Sequence, residues 1–264
     1  MNQVEFDKGS IKGILTDIDG TLYFKGVPIP GAVETLLKLR EIGLKFLFFT
    51  NTDSKSPKTV LEILKQYGFT IDEQEIFTPI IALKEYLSKY PDKRSFFLTT
   101  TEVEKEFQGF PELRGSEIPE FVIIGDFHDN WDVHRLNKAF KFVLKGAKLL
   151  GTQGNWYYLD RKGEPVLDTG SFVHMIAKAA KTEPVIFGKP SKEYFLLALK
   201  KLKLESDEVL VVGDDIESDI QGALNAGIKG ILVKTGKGQF FESDKSQITP
   251  FKIIDSFSSL KNFF

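Results

Sequence analysis

The 264-residue chain contains no cysteine. That removes disulfides, zinc–thiolate sites, iron–sulfur clusters and a thiol nucleophile from consideration. It has little net charge, with 35 Lys and Arg against 37 Asp and Glu. Without a broad basic field, neither nucleic acid nor an anionic membrane surface is an expected partner. Long apolar runs are missing too. No segment approaches the roughly 20 apolar residues that span a bilayer. The opening stretch MNQVEFDKGSIKG has no apolar run of signal-peptide length, so a cytoplasmic location is the expectation. Histidine is scarce: His128, His134 and His174 show no metal-ligand spacing, and the polar cluster Asp126, His128 and Asp129 reads as structural or surface. Three sequence signatures are also absent: a GxxxxGK[ST] loop, a GxGxxG after the first strand, and a GxSxG elbow.

What is present is an ordinary globular balance, 42% hydrophobic and 27% charged, enough for one large core or two modest ones. Several short apolar runs each end in polar or acidic residues. The run from Ile11 to Thr16 stops at Asp17, the run from Lys45 to Phe49 at Thr50 and Asn51, and the run from Val209 to Val212 at Gly213 and Asp214. Near-continuous apolar runs suit parallel strands covered on both faces. Gly230–Val233 and Phe251–Ile254 have the same character.

Helix signals lie between the strands. Pro30 suits the first turn of a helix that Gly43 ends. Ser56-Pro57 reads as an N-cap and first helical residue, with Val60, Leu61 and Leu64 on the buried face and Gly68 as the stop. Further helices are expected from Ser191 through Leu199 and from Glu217 to Ala226, the second ended by Gly227. Alternating strands and helices predict an α/β fold with a doubly wound parallel sheet. The middle of the chain has its own strands, at Phe96–Leu98, Phe121–Ile124 and Lys148–Leu150, and a helix near 133–144. It reads as a second α/β unit over 79–182, inserted into a first unit formed by 1–78 and 183–264.

Ligands of open α/β sheets bind at the carboxyl ends of the strands. Asp17 and Asp19, Thr50 to Thr52, and Asp214, Asp215 and Asp219 are all expected there, and Lys189 follows the apolar run Pro184–Phe187. Acids converging on one edge repel one another unless a cation sits among them. Oxygen-only ligands favour a hard ion, for which Mg2+ is the natural choice. A calcium-binding EF-hand loop at Asp17 fails on spacing, with Leu22 where glycine is needed and Pro28 where glutamate is needed.

The set DIDGT, FFTN, GKP and VGDDIESD resembles the four motifs of the haloacid dehalogenase superfamily, in order and spacing, across the whole chain. The resemblance implies a Rossmann-like core and a magnesium-dependent phosphatase acting on a small phosphorylated substrate through an aspartyl-phosphate. Asp17 would be the nucleophile and Asp19 the general acid/base. Thr50, the Asn51 backbone and Thr52 would hold phosphate oxygens, and Lys189 would pair with the phosphate and Asp17. Asp214 would hold Mg2+ beside the Asp17 carboxylate and the Asp19 carbonyl, with Asp215 and Asp219 acting from behind them.

Only 33 residues separate Asp17 from Thr50, whereas 138 separate Asn51 from Lys189. That places the insertion in the second site, giving a C2-type cap similar to the class IIA, NagD-like branch. Residues 154–158 with 166–170, and the run Gly230–Lys237, resemble the phospholysine/phosphohistidine inorganic pyrophosphate phosphatase subgroup and its uncharacterised hydrolase-domain relatives. In such a cap Asn155, Trp156, Tyr157, Tyr158, Arg161 and Asp168 are candidates for substrate contact, and a homodimer through the cap is an expectation because class IIA relatives often form one. Other readings remain: a dehalogenase or phosphomutase on the same fold, or a non-catalytic phospho-ligand-binding regulator. Dehalogenases need no Mg2+ and no second acid, which counts against the first. Phosphomutases usually carry the cap in the first insertion site, and an unused acid cluster would be a standing electrostatic cost for a regulator.

Overall fold

The computed structural model describes residues 8–111, 113, 117–160, 162–243 and 246–264. The chain divides into two compact units. One comprises Met1–Phe49, Leu64–Ile76 and Phe195–Phe264, and the other Thr50–Ile63 and Phe77–Tyr194.

The first unit is built on the apolar runs. A six-stranded sheet has the order Lys252–Ile254, Lys229–Val233, Val209–Gly213, Gly13–Thr16, Lys45–Phe49, Ile76–Phe77. The pairings from Lys252–Ile254 through Lys45–Phe49 are parallel. Gly13–Thr16 and Val209–Gly213 are buried at every position, as expected for strands covered on both faces. The first strand in sequence lies inside the sheet, flanked by one strand that follows it closely and one from the far end of the chain. This is a topological switch point, where an open α/β sheet forms its ligand crevice.

The second unit carries a four-stranded parallel sheet in the order Val185–Ile186, Lys148–Gly151, Phe121–Ile124, Ser95–Leu98. Helices Val133–Leu144 and Thr169–Ala180 contribute Ala139, Phe142, Val143, Val173, Ile176 and Ala177 to its core. An antiparallel hairpin pairs Tyr157–Leu159 with Pro165–Leu167.

Several local readings hold. The Ser56 hydroxyl accepts from Thr59 N–H at 3.1 Å, capping the helix that begins at Pro57. Gly43, Gly68 and Gly227 take the left-handed conformation that ends a helix, with φ of 91°, 88° and 76°. The helix expected near Pro30 starts later, at Ala32, because Gly31 precedes it with φ 76°. Pro30 therefore lies outside the first turn. The stretch expected as one helix from Glu217 is a π-helical turn, Ile216–Gln221, that continues as Gly222–Asn225. The middle of the chain holds more helix than expected. Pro79–Leu87 is capped by Thr78, Thr101–Glu106 by Thr100, and Thr169–Ala180 by Asp168.

Candidate active site

In the first unit the strand register does most of the assembly. Thr16 pairs with Val212 and Asp17 N–H donates to Val212 O at 2.8 Å, so Asp17 and Asp214 leave adjacent strand tips together. A tight turn follows Asp17, with Leu22 N–H bonded to Ile18 O at 2.8 Å and Gly20 N–H to Tyr23 O at 2.7 Å. Gly20 is required there. Its φ is 87°, and a Cβ would lie 2.2 Å from Asp214 Oδ2. Asp19, on the same turn, is exposed.

Carboxylate oxygens of Asp17, Asp214 and Asp219 all lie within 4.8 Å of one another, and all three side chains are buried. Gly213 lets Asp219 approach, since a Cβ there would sit 2.2 Å from the Asp219 carboxyl carbon. Asp219 also accepts from Asp215 N–H at 3.1 Å.

A loop from the far end of the chain closes on this cluster. Thr235 Oγ1 donates to Gly20 O at 2.5 Å, and Lys237 N–H donates to Asp214 Oδ2 at 2.6 Å. Gly236 has φ 53°, and a Cβ there would lie 2.0 Å from Asp214 Oδ2. The Lys237 ammonium sits 2.6 Å from Asp215 Oδ2. Lys237 carries no sequence signal for this chemistry. Its partners lie 22 and 23 positions away, and no local pattern announces them.

The electrostatics follow from these distances. Burial pushes the Asp214 carboxyl well above the usual carboxylate range, and the charges of Asp17, Asp219 and Asp215 push it further, with the Lys237 N–H opposing. Asp215 goes the other way. Burial would raise it, but the Lys237 ammonium and the N–H groups of Ser218 and Glu217 outweigh burial and hold it low. Burial, then the charges of Asp19 and Asp17, raise the Tyr23 phenol. Three buried carboxylates repelling one another, in a cradle kept open by Gly20, Gly213 and Gly236, fit a hard divalent cation such as Mg2+.

In the second unit the loop after Phe49 turns on its own hydroxyls. Thr52 N–H donates to Thr50 Oγ1 at 3.0 Å, and the Thr50 and Thr52 hydroxyls lie 2.9 Å apart. Thr50 O accepts from the buried Tyr194 hydroxyl at 2.9 Å. The Asn51 side chain lies against Lys189, donating to Lys189 O at 2.9 Å and accepting from Lys189 N–H at 2.7 Å. Lys189 itself is buried.

The residues proposed for substrate contact fall into two groups. Asn155 Oδ1 accepts from Asn51 Nδ2, and Asp168 accepts from Gln153 Nε2 and Thr169 N–H, so both are engaged inside the unit. Trp156, Tyr157 and Tyr158 are exposed on or beside the hairpin, with Trp156 near the His174 ring. Arg161 lies outside the described residues. A residue that sequence reasoning missed is Asp53. It is buried and accepts from Thr152 Oγ1 at 2.5 Å, Thr169 Oγ1 at 2.8 Å and Asp126 N–H at 3.1 Å. Burial, then the charge of Asp168, raises its carboxyl to about 8.

A parallel α/β sheet with buried acids at adjacent strand tips and a separate α/β unit define a class of hydrolase. Residues 14–110 match the family model of haloacid dehalogenase-like hydrolases, and residues 186–260 match a HAD-hydrolase-like model. Haloacid dehalogenase-like hydrolase domain-containing protein 2 of Bos taurus is 36% identical over 248 residues, covering 94% of this chain and 93% of that protein. The phospholysine phosphohistidine inorganic pyrophosphate phosphatase of Danio rerio is 32% identical over 241 residues, covering 89% and 87%. The crystal structure of 4-nitrophenylphosphatase from Thermotoga maritima is 27% identical with a TM-score of 0.87, covering 96% of this chain and 97% of that one. NagD proteins are also among the structural neighbours. The chain belongs to the haloacid dehalogenase-like hydrolases, in their class IIA, NagD-like branch.

Proposed function

We propose that this chain is a Mg2+-dependent phosphatase of small phosphorylated molecules, working through an aspartyl-phosphate on Asp17. The reading rests on one observation above all: carboxylate oxygens of Asp17 and Asp214, at adjacent strand ends, and of Asp219, on the following helical turn, crowd within 4.8 Å of one another. The phosphatase names carried by a relative and by a structural neighbour support the same reaction class. Asp17, Asp214 and the Asp19 backbone carbonyl would hold Mg2+, with Asp219 and Asp215 behind them. When bound, the ion supplies the counter-charge that lets a carboxylate meet an anionic phosphate.

The remaining roles belong to the chain's own groups. The Asp17 carboxylate attacks phosphorus while Asp19 gives its proton to the departing oxygen. Asp19 then takes a proton from the water that releases phosphate. Thr50, Thr52, the Asn51 backbone and Lys189 hold the phosphate oxygens, aligning the displacement and neutralising its charge. Residues 79–182 form the cap over a core of 1–78 and 183–264. Dimerisation through that cap and a cytoplasmic location complete the proposal; light scattering tests the first.

The decisive test is turnover of para-nitrophenyl phosphate with Mg2+ and with EDTA. Asp17→Asn, with unchanged circular dichroism, is expected to lose all activity; turnover retained in that variant contradicts the mechanism. A screen of phosphorylated metabolites, pyrophosphate and phosphoramidate then identifies the substrate class.

A further inference from the structure

The Asn51 side chain performs a task that its assigned backbone role does not require. Its carboxamide makes the two bonds to Lys189 that a neighbouring peptide unit would make, one donated and one accepted. The pattern fixes which end is which. A flipped amide would set Nδ2 against Lys189 N–H and Oδ1 against Lys189 O, two like-against-like contacts. The fit is close enough to demand glycine next door, because a Cβ on Gly188 would lie 2.7 Å from Asn51 Oδ1 and 2.8 Å from Thr152 O.

The clamp is itself held. Asn51 Nδ2 also donates to Asn155 Oδ1 at 3.1 Å, and Asn155 N–H donates to Gln153 Oε1 at 2.5 Å. Gln153 Nε2 donates to Asp168 Oδ1 at 2.6 Å, which also accepts from Thr169 N–H. The Thr169 hydroxyl donates to Asp53, two residues beyond Asn51. The hydrogen bonds therefore form a closed ring that leaves and re-enters the loop 50–53, and Lys189 hangs from it by its backbone.

We propose that the Asn51 side chain is a positioning residue that sets where the Lys189 loop stands relative to the phosphate-holding loop 50–52. The inference rests on the phosphatase reading, in which Lys189 meets the phosphate. Asn51→Ala removes both bonds. Asn51→Asp keeps the acceptor for Lys189 N–H but turns an acceptor toward Lys189 O and Asn155 Oδ1. The test is a double-mutant cycle on kcat/KM for para-nitrophenyl phosphate, using Asn51→Ala and Asn51→Asp, each alone and combined with Lys189→Met. Thermal melts of every variant confirm folding. Displacing an aligned group by about 1 Å costs on the order of 100-fold, so each Asn51 variant is expected to lose roughly 10- to 100-fold alone. In the Lys189→Met background the further loss should shrink to under about 3-fold, because Asn51 acts through a residue already removed. Full multiplication of the two losses, or wild-type kcat/KM in both Asn51 variants, overturns the inference while leaving the phosphatase reading intact. If wild type and Lys189→Met are equally inactive, the reading and the inference fall together. An unfolded Asn51→Ala leaves the decision to Asn51→Asp, the isosteric change.

Discussion

Two buried carboxylates, one in each unit, both have pKa values raised by burial and by neighbouring acids, but the donors around them differ. Asp214 lies among Asp17, Asp219 and Asp215, and the Lys237 backbone N–H opposes their repulsion. Asp53 is raised by burial and then by the charges of Asp168 and Asp126, but it lies among donors, two threonine hydroxyls and an N–H. Asp53 can settle its environment by holding a proton. The Asp214 cluster cannot do so without giving up its negative charge, and that charge is what a cation would bind. Of two buried acids with similar exposure, the one packed against three other carboxylates is the better marker of a site.

The sharpest way to break the comparison is to neutralise each acid in turn. Asp214→Asn is expected to abolish phosphatase activity. It should also invert with metal in its effect on stability. In EDTA the variant should melt above the parent, because a like charge has left a buried cluster. In Mg2+ the parent should gain, by about 2.7 kcal/mol at a concentration 100 times its Kd, and overtake the variant. Asp53→Asn should show the same stability difference from the parent in both buffers. A Mg2+-dependent difference for Asp53→Asn, or none for Asp214→Asn, removes the distinction.

A smaller effect tests the shape of the cradle. Gly236→Ala puts a methyl 2.0 Å from Asp214 Oδ2 at a φ of 53°. Strain of this kind costs on the order of 1–3 kcal/mol. It should also weaken Mg2+-linked stabilisation, since Asp214 must move. Gly43→Ala is the control. Its φ is 91° and nothing lies within 4 Å of its added methyl, so it should cost stability without touching the metal dependence. Equal metal dependence in the two variants, read from melts with and without Mg2+, would show that the glycine loop does not shape the acid cluster.

Much of the first unit could be read in advance because its signals are local. The buried strands Gly13–Thr16 and Val209–Gly213 are short apolar runs in the sequence, and their last residues point to where Asp17 and Asp214 emerge. The second unit was harder to read. Thr78, Thr100 and Asp168 each precede a helix and cap it, but a single capping residue is a weak local signal. Asp53 had no local signal at all. Its partners Thr152 and Thr169 are 99 and 116 residues away, and only the folded chain brings them together. The Thr235 contact to Gly20 spans 215 residues and was hidden for the same reason.

A pH effect isolates Asp53. Its carboxyl lies near the ordinary value of 3.8 when unfolded and at about 8 when folded. Between those values the folded chain carries a proton there that the unfolded chain has lost. Stability linked to this group is therefore fully present below about pH 4 and declines as pH rises, becoming level above about pH 8. The slope is at most on the order of 1 kcal/mol per pH unit. Other groups add their own slopes, so the informative quantity is the parent minus Asp53→Asn. That difference should fall steadily from pH 5 to pH 8 in urea melts, since an amide cannot ionise. A difference that stays flat across the window would mean Asp53 is ionised in the folded chain, with its three donors sufficient to hold the charge, and the contrast with Asp214 would then be one of charge stabilised by hydrogen bonds against charge awaiting a cation.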